Sequence, residues 1–269
     1  MAERSAAVAG EQLVRFRGGG FEPAVRRWAS WLAFAVIIAL WQTASSSGLL
    51  PPLAMPSPWA VMHAFGDMWS SGRLSTDLAA SVSRVAWGWI IGTLAGLVAG
   101  VAMGIWSIPR SVGIPIVSAL FPIPKIALLP LLILWFGIGE PSKIATIALG
   151  VFFPTVITGY TSVDAVPRNL IRMAQSFNVP RRDIIRKILL PGAMPGILAG
   201  FRITSSIGLI LLIAAEMIGA EHGVGAFILQ AGNLMQTDQL VAGVVVLSLL
   251  GLAISFLLGW LERLLLRWR

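Results

Sequence analysis

Six stretches of this chain are apolar for about the 20 residues that a helix needs to cross a bilayer. That requirement limits the fold more than any other feature. The stretches lie at roughly 29–48, 84–106, 115–138, 143–163, 195–219 and 239–260. Backbone amides inside lipid must be satisfied within their own helix or in a closed barrel. These runs are continuously apolar rather than alternating, so helices are expected. Only 12% of the residues are charged, against about 25% in a soluble domain. The expected fold class is therefore all-α, a polytopic membrane protein with about six transmembrane helices. Residues 1–27 are polar and basic, and no small-residue cleavage pattern follows the first apolar run, so no signal peptide is expected.

An even number of spans puts both termini on one side, and the basic residues decide which. With the N-terminus inside, the cytoplasmic segments hold Arg4, Arg15, Arg17, Arg26, Arg27, Arg110, Arg168, Arg172, Arg181, Arg182, Arg186, Lys187, Arg263, Arg267 and Arg269, 15 of the 20 lysines and arginines. Arg73, Arg84 and Lys143 lie outside, and Lys125 and Arg202 fall within spans or at their edges. The N-terminus, the 164–194 loop and the C-terminus are thus expected in the cytoplasm. This asymmetry accounts for the net charge of +8, and nucleic acid is not an expected partner.

Much chemistry is excluded. There is no cysteine, hence no disulfide and no thiolate metal site. No GxxxxGK[ST], HExxH or GxSxG pattern occurs, and His63 and His222 are far apart in sequence. No catalytic, cofactor-binding or metal residues are expected. Two ionisable residues fall inside apolar spans, where charges usually face a cavity or a partner. Lys125 can attract an anionic solute or snorkel to an interface. Glu216 can hold a gate at the outer side or make structural hydrogen bonds, the latter being favoured. A mutual ion pair is a third option. Both are candidate pathway residues.

Other patterns concern packing. Gly88, Gly92, Gly96, Gly100 and Gly104 recur every four residues in the second span. Such a stripe lets helices approach closely, within the bundle or across a dimer. Pro115, Pro122, Pro124 and Pro130 crowd the third span, which is expected to be bent or broken. In the outer loop 49–83, Pro58 to about Trp69 suits a short amphipathic helix at the interface, with Trp59 and Trp69 as anchors.

Residues 164–191, DAVPRNLIRMAQSFNVPRRDIIRKILLP, carry eight charges, six of them basic, between apolar neighbours. Pro167 suits the first turn of a helix. Val166, Leu170, Met173, Ala174 and Phe177 then share one face. Asn178 tolerates the left-handed conformation that ends helices. Pro180 opens a second helix with Ile184, Ile185, Ile188 and Leu189 on its apolar side and Arg181, Arg182, Arg186 and Lys187 on its basic side. Pro191 is expected to stop it. A basic loop lying on anionic lipid explains the charge, but not this helix–break–helix pattern.

The loop resembles the cytoplasmic motif of ABC importer permeases: EAA, three residues, Gly, nine residues, then I-x-L-P. Ala174, Ile188, Leu190 and Pro191 match it. Arg172, Met173 and Asn178 stand at its Glu, Ala and Gly positions. The resemblance extends to SVSRVAWGWIIG at 81–92, PIPKIALLPLLILWFGIGEPSKI at 122–144, LLPGAMPGILAGFR at 189–202 and AEMIGAEHGVGAFILQAGNLMQTD at 215–238. Over about 29–268 the chain is similar to the nitrate/sulfonate/taurine/bicarbonate-type permeases.

That resemblance implies a type I importer permease fold in a bacterial inner membrane, with a cytoplasmic tail at 1–28 and one permease domain at 29–268. It implies a homodimer that carries a small anion, such as nitrate, a sulfonate, taurine, bicarbonate or a related organic anion. It further implies an external solute-binding protein, and two cytoplasmic subunits that bind ATP and Mg and dock on the 164–191 loops. The chain itself would not be an enzyme. Arg172, Met173, Ala174, Phe177, Asn178, Arg181, Arg182, Ile188, Leu190 and Pro191 are the coupling candidates. The alternative is a stand-alone secondary transporter or channel whose basic loop lies on lipid.

Overall fold

The computed structural model describes residues 27–48, 51 and 53–267. The expected tail 1–28 lies outside the described residues except for its last two positions, as does Arg269. All regular elements among the described residues are helical: α1 (Arg27–Ser46), α2 (Pro58–Ser70), α3 (Arg73–Ile105), α4 (Ser107–Leu120), α5 (Leu129–Phe136), α6 (Glu140–Asp164), α7 (Arg168–Ser176), α8 (Arg181–Ile184), α9 (Leu190–Gly219), α10 (Val224–Asn233) and α11 (Thr237–Leu265). Five helices are long and apolar enough to cross a membrane, counting Arg181–Gly219 as one. The pair α4 and α5 makes a sixth span if it is counted as one.

The core is a sandwich of α3, α6 and α9. The five striped glycines of α3 all meet α6. A methyl at Gly88, Gly96 or Gly104 would lie 2.6 Å from Ile147, Phe152 O or Val163, and one at Gly92 or Gly100 would strike the backbone at Ala148 or Val156. Gly159 of α6 lies opposite Gly100. A second small-residue ridge lies on α9: Gly196 and Gly200 press on Ser162 and Thr158 of α6. Its signal was the same spacing of four. Without a hydrophobic driving force between helices in lipid, such close approach supplies the van der Waals contact that holds the bundle.

The third span is broken outright. The axes of α4 and of the helical stretch Lys125–Phe136, which ends in α5, differ by 87° across residues 121–124. Phe121 is still helical, but Pro122 and Pro124 have no N–H with which to continue the ladder, and Pro124 is extended at ψ 111°. A single 3-10 turn, Lys125–Leu128, leads into α5, where Pro130 occupies the first turn.

The proline-led helix in the loop before α3 is α2. Ser57 caps it, its hydroxyl accepting from Ala60 N at 3.2 Å. Val61, Ala64 and Met68 are buried in a cluster with Leu74 of α3, Val224 and Phe227 of α10, and Ala242 and Val246 of α11. The helix is therefore docked on protein, with Trp59 and Trp69 left exposed. The second span also begins earlier than its apolar run suggests, at Arg73 rather than near 84. Its 33 residues measure about 50 Å, longer than the hydrocarbon core of about 30 Å.

Candidate functional site

Two structured regions sit at opposite ends of α9. At its N-terminal end is the charged segment. There α7 ends in a left-handed turn at Asn178, φ 54°. Val179 N donates to Ala174 O at 3.1 Å and Asn178 N to Gln175 O at 3.0 Å, which satisfies the last carbonyls of α7 in the manner of a Schellman cap. The apolar face of α7 divides in two. Val166 and Ala174 are buried against this chain, and Val166 belongs to a cluster with Val163, Ala193 and Ile197. Leu170, Met173 and Phe177 point away, and Phe177 is 75% exposed. Arg172, Arg181 and Arg182 are exposed beside them, while Ile188, Leu190 and Pro191 are half-buried. Arg110 of α4 grips Asp164 at the end of α6, bracing the start of the segment.

Pro191 does not stop the second helix, contrary to expectation. Residues Ile185–Leu189 form a π turn, and Leu190 N donates to Ile185 O. The wider turn makes room for the proline ring, which would otherwise clash with the carbonyl one turn earlier. The helix continues into α9, so Arg181–Gly219 is one helical run of 39 residues.

At the other end of α9 lies a buried polar knot. Asp77, Ser81 and Arg84 follow one face of α3, at spacings of four and three. All three are buried, as is Glu216 of α9, which is 1% exposed. Arg84 Nη1 donates to Glu216 Oε1 and to His222 O, each at 2.6 Å. Its Nε and Nη2 donate to both oxygens of Glu140, at the start of α6, also at 2.6 Å. Ser81 Oγ donates to Glu216 at 2.7 Å. One guanidinium therefore ties α3, α6, α9 and the loop before α10.

The first turn of α10 completes the knot. Gly223 N donates to Asp77 Oδ1 at 2.9 Å, Val224 N to Ser81 Oγ at 2.9 Å and Gly225 N to Glu216 Oε2 at 2.8 Å. Helix N-termini present unpaired N–H groups that favour acidic partners, and three are answered here by other helices. Gly223, at φ 136°, holds a conformation that side chains rarely adopt, and a methyl there would lie 2.6 Å from Arg84 Nη1.

The two pathway candidates are not paired with each other. Glu216 takes its cation from Arg84. Lys125 Nζ donates to the carbonyls of Leu120, Phe121 and Ile123 at 2.8, 3.1 and 2.7 Å and lies 4.7 Å from the Phe153 ring centre. It closes the C-terminal end of α4 at the break. Arg84, which the charge distribution put outside the membrane, is instead the hub of the knot. The sequence signal was available: Asp77 and Arg84 share a helical face with Ser81. Among the described residues no group of three or more His, Asp or Glu side chains could hold a metal ion.

Residues 92–268 match the family model described as the binding-protein-dependent transport system inner membrane component. The chain belongs to this family. It is similar to the taurine transport system permease protein TauC of Escherichia coli, 35% identical over 239 residues and covering 87% of each chain. It is similar also to the putative aliphatic sulfonates transport permease proteins SsuC of Bacillus subtilis and of E. coli. These are 35% identical, covering 87% of this chain and 85% of the relative, and 36% identical, covering 91% and 94%. Its fold resembles a chain from the inward-facing MetNI methionine ABC transporter, with a TM-score of 0.59 at 23% identity over 78% of this chain and 98% of that one. The protein is a multi-pass inner-membrane ABC transporter permease.

Proposed function

We propose that two copies of this chain form the translocation pathway of an ATP-driven importer for a small anion of the sulfonate class. The observation that carries the reading is the Leu170–Met173–Phe177 stripe. It is an apolar face left uncovered on a capped helix, in a chain of this family. Two cytoplasmic subunits that bind ATP and Mg take this stripe into a groove, while Arg172, Arg181 and Arg182 supply steering contacts at its rim. An external binding protein delivers the solute. The chain itself carries out no catalysis. The relatives named for taurine and aliphatic sulfonates support the substrate class. The 15 basic residues assigned to one side support cytoplasmic termini. The domain is a single unit, 29–268, with its docking loop at 164–194.

The 39-residue run from Arg181 to Gly219 supports a lever mechanism. At 1.5 Å per residue it is a rod of about 58 Å, with the docking segment at one end and Glu216 at the other. Closure of the ATP-binding subunits displaces the first end, and the knot at the second transmits the movement to α3, α6 and α10. Lys125 and Glu216 belong to the frame of the pathway in this reading, because their polar atoms are already engaged.

The test is Phe177→Asp in the assembled transporter. Loss of a buried aromatic anchor costs an interface on the order of 2–4 kcal/mol. Substrate-stimulated ATP hydrolysis should vanish while membrane insertion is unchanged. Normal coupling in this variant would refute the docking assignment. Uptake by the chain alone, driven by an ion gradient, would replace it with a secondary transporter.

A further inference from the structure

A crevice opens between α3 and α11 over the floor of α9. Its volume is about 260 Å³, and its lining includes Val82, Trp89, Leu250, Ile254 and Leu257. Ser205 also lines it, but that hydroxyl is engaged by Arg202 O of its own helix at 2.9 Å. Trp89 Nε1 likewise donates to Thr204 Oγ1 at 3.2 Å. With those two donors engaged within the protein, the lining is almost wholly apolar.

One turn back along α9 and one turn onward along α11 the character changes. A second hollow is lined by Arg202, Gly259, Glu262, Arg263 and Leu266. The missing side chain of Gly259 opens it, since a methyl there would lie 3.3 Å from Arg202 Nη2. Arg202 pairs with Glu262 at 2.5 Å. Arg263 uses only its Nε on Gly259 O, at 3.2 Å. Arg267 lies just past the end of α11 at Leu265 and is exposed. Three cations against one carboxylate leave a local excess of positive charge at the mouth of an apolar slot.

We propose that these two hollows, whose linings adjoin at Leu258 and Gly259, together bind one anionic phospholipid. Its phosphate lies among Arg202, Arg263 and Arg267, and one acyl chain runs along α11 between α3 and α9. The dimensions fit. From Leu250 to Leu258 the crevice follows α11 for about 12 Å, within one leaflet of about 15 Å of hydrocarbon. The charge selects the occupant: an apolar protein helix would fill the slot but leave the arginines unanswered. The lipid wedges α3 and α11 apart at fixed spacing on α9.

The test uses the assembled transporter in phosphatidylcholine vesicles containing a minor fraction of phosphatidylglycerol with brominated acyl chains. Bromine quenches indole emission on contact, and the Trp89 share is the difference from Trp89→Phe. Two uncompensated cations at about 1 kcal/mol each correspond to roughly a 30-fold preference for the anionic lipid. Quenching of Trp89 should therefore saturate at about 30-fold less brominated phosphatidylglycerol than brominated phosphatidylcholine. Arg263→Gln with Arg267→Gln, both at exposed positions, should abolish the preference and keep the fold. Equal quenching by the two lipids in proportion to their amounts would mean bulk bilayer only. No quenching of Trp89 would mean that protein covers the crevice. Either result would overturn the proposal.

Discussion

Arg84→Met tests whether the knot is the structural hub that its geometry indicates. The substitution keeps an unbranched side chain of similar reach and removes the cation. Glu216 would retain Ser81 Oγ and Gly225 N as donors but would keep an uncompensated charge, with its side chain 0% exposed. Removing one partner of a buried pair costs about 3–5 kcal/mol. At about 2–4 °C per kcal/mol for a chain of this size, the thermal midpoint should fall by roughly 6–20 °C. The assay is a thermal scan of the purified chain in detergent at one fixed rate, because membrane proteins commonly unfold irreversibly. Adding Glu216→Gln to Arg84→Met removes the orphaned charge and should restore about half the loss. Glu140→Gln provides the contrast. Its carboxylate is 55% exposed, and water can replace much of the lost contact, so the cost should stay within about 1 kcal/mol. A midpoint for Arg84→Met within about 2 °C of the parent, or a double variant that shows the full sum of the two losses, would refute this account of the knot.

Three further substitutions probe the break and the packing. Lys125→Met deprives three carbonyls of their cation at the α4–α5 break and should cost about 1–3 kcal/mol, visible as a lower thermal midpoint. Reduced anion uptake with an unchanged midpoint would instead put Nζ in the solute's path. Two Gly→Ala exchanges should have opposite signs in the same scan. At Gly100 the added methyl meets α6 backbone at Val156 and Gly159 and should cost about 1–3 kcal/mol. At Gly66, within α2, nothing lies within 4 Å, and the better helix former should gain up to about 1 kcal/mol.

Local patterns made a large part of this protein legible. The apolar runs announced helical spans, the crowded prolines a break, and the Asn178 turn a boundary between two short helices. Each of these depends on a few adjacent residues: chain length against bilayer thickness, a missing amide, a tolerated left-handed φ. The glycine spacing likewise announced a face of close approach. It did not say that α6 would be the neighbour, because a stripe specifies a surface and not what meets it.

What escaped the sequence was pairing across long separations. Arg84 and Glu216 are 132 positions apart. A rule that counts basic residues by side treats Arg84 as an outer-loop charge, whereas α3 and α9 bring two buried charges together and satisfy each with the other. Lys125 and Glu216 looked similar as lone charges in apolar spans. The packing gives one a set of carbonyls and the other a guanidinium. Pro191 reads as a stop in the sequence, but a proline's effect depends on its turn, and the π turn before it accommodates it. The division of the α7 face, with Ala174 inward and Phe177 outward, was also decided by packing, here against the π turn at Ile185–Leu189. Periodicity along the chain determines which residues are apolar and which element they join. Which of those residues are covered, and by what, depends on how the helices cross.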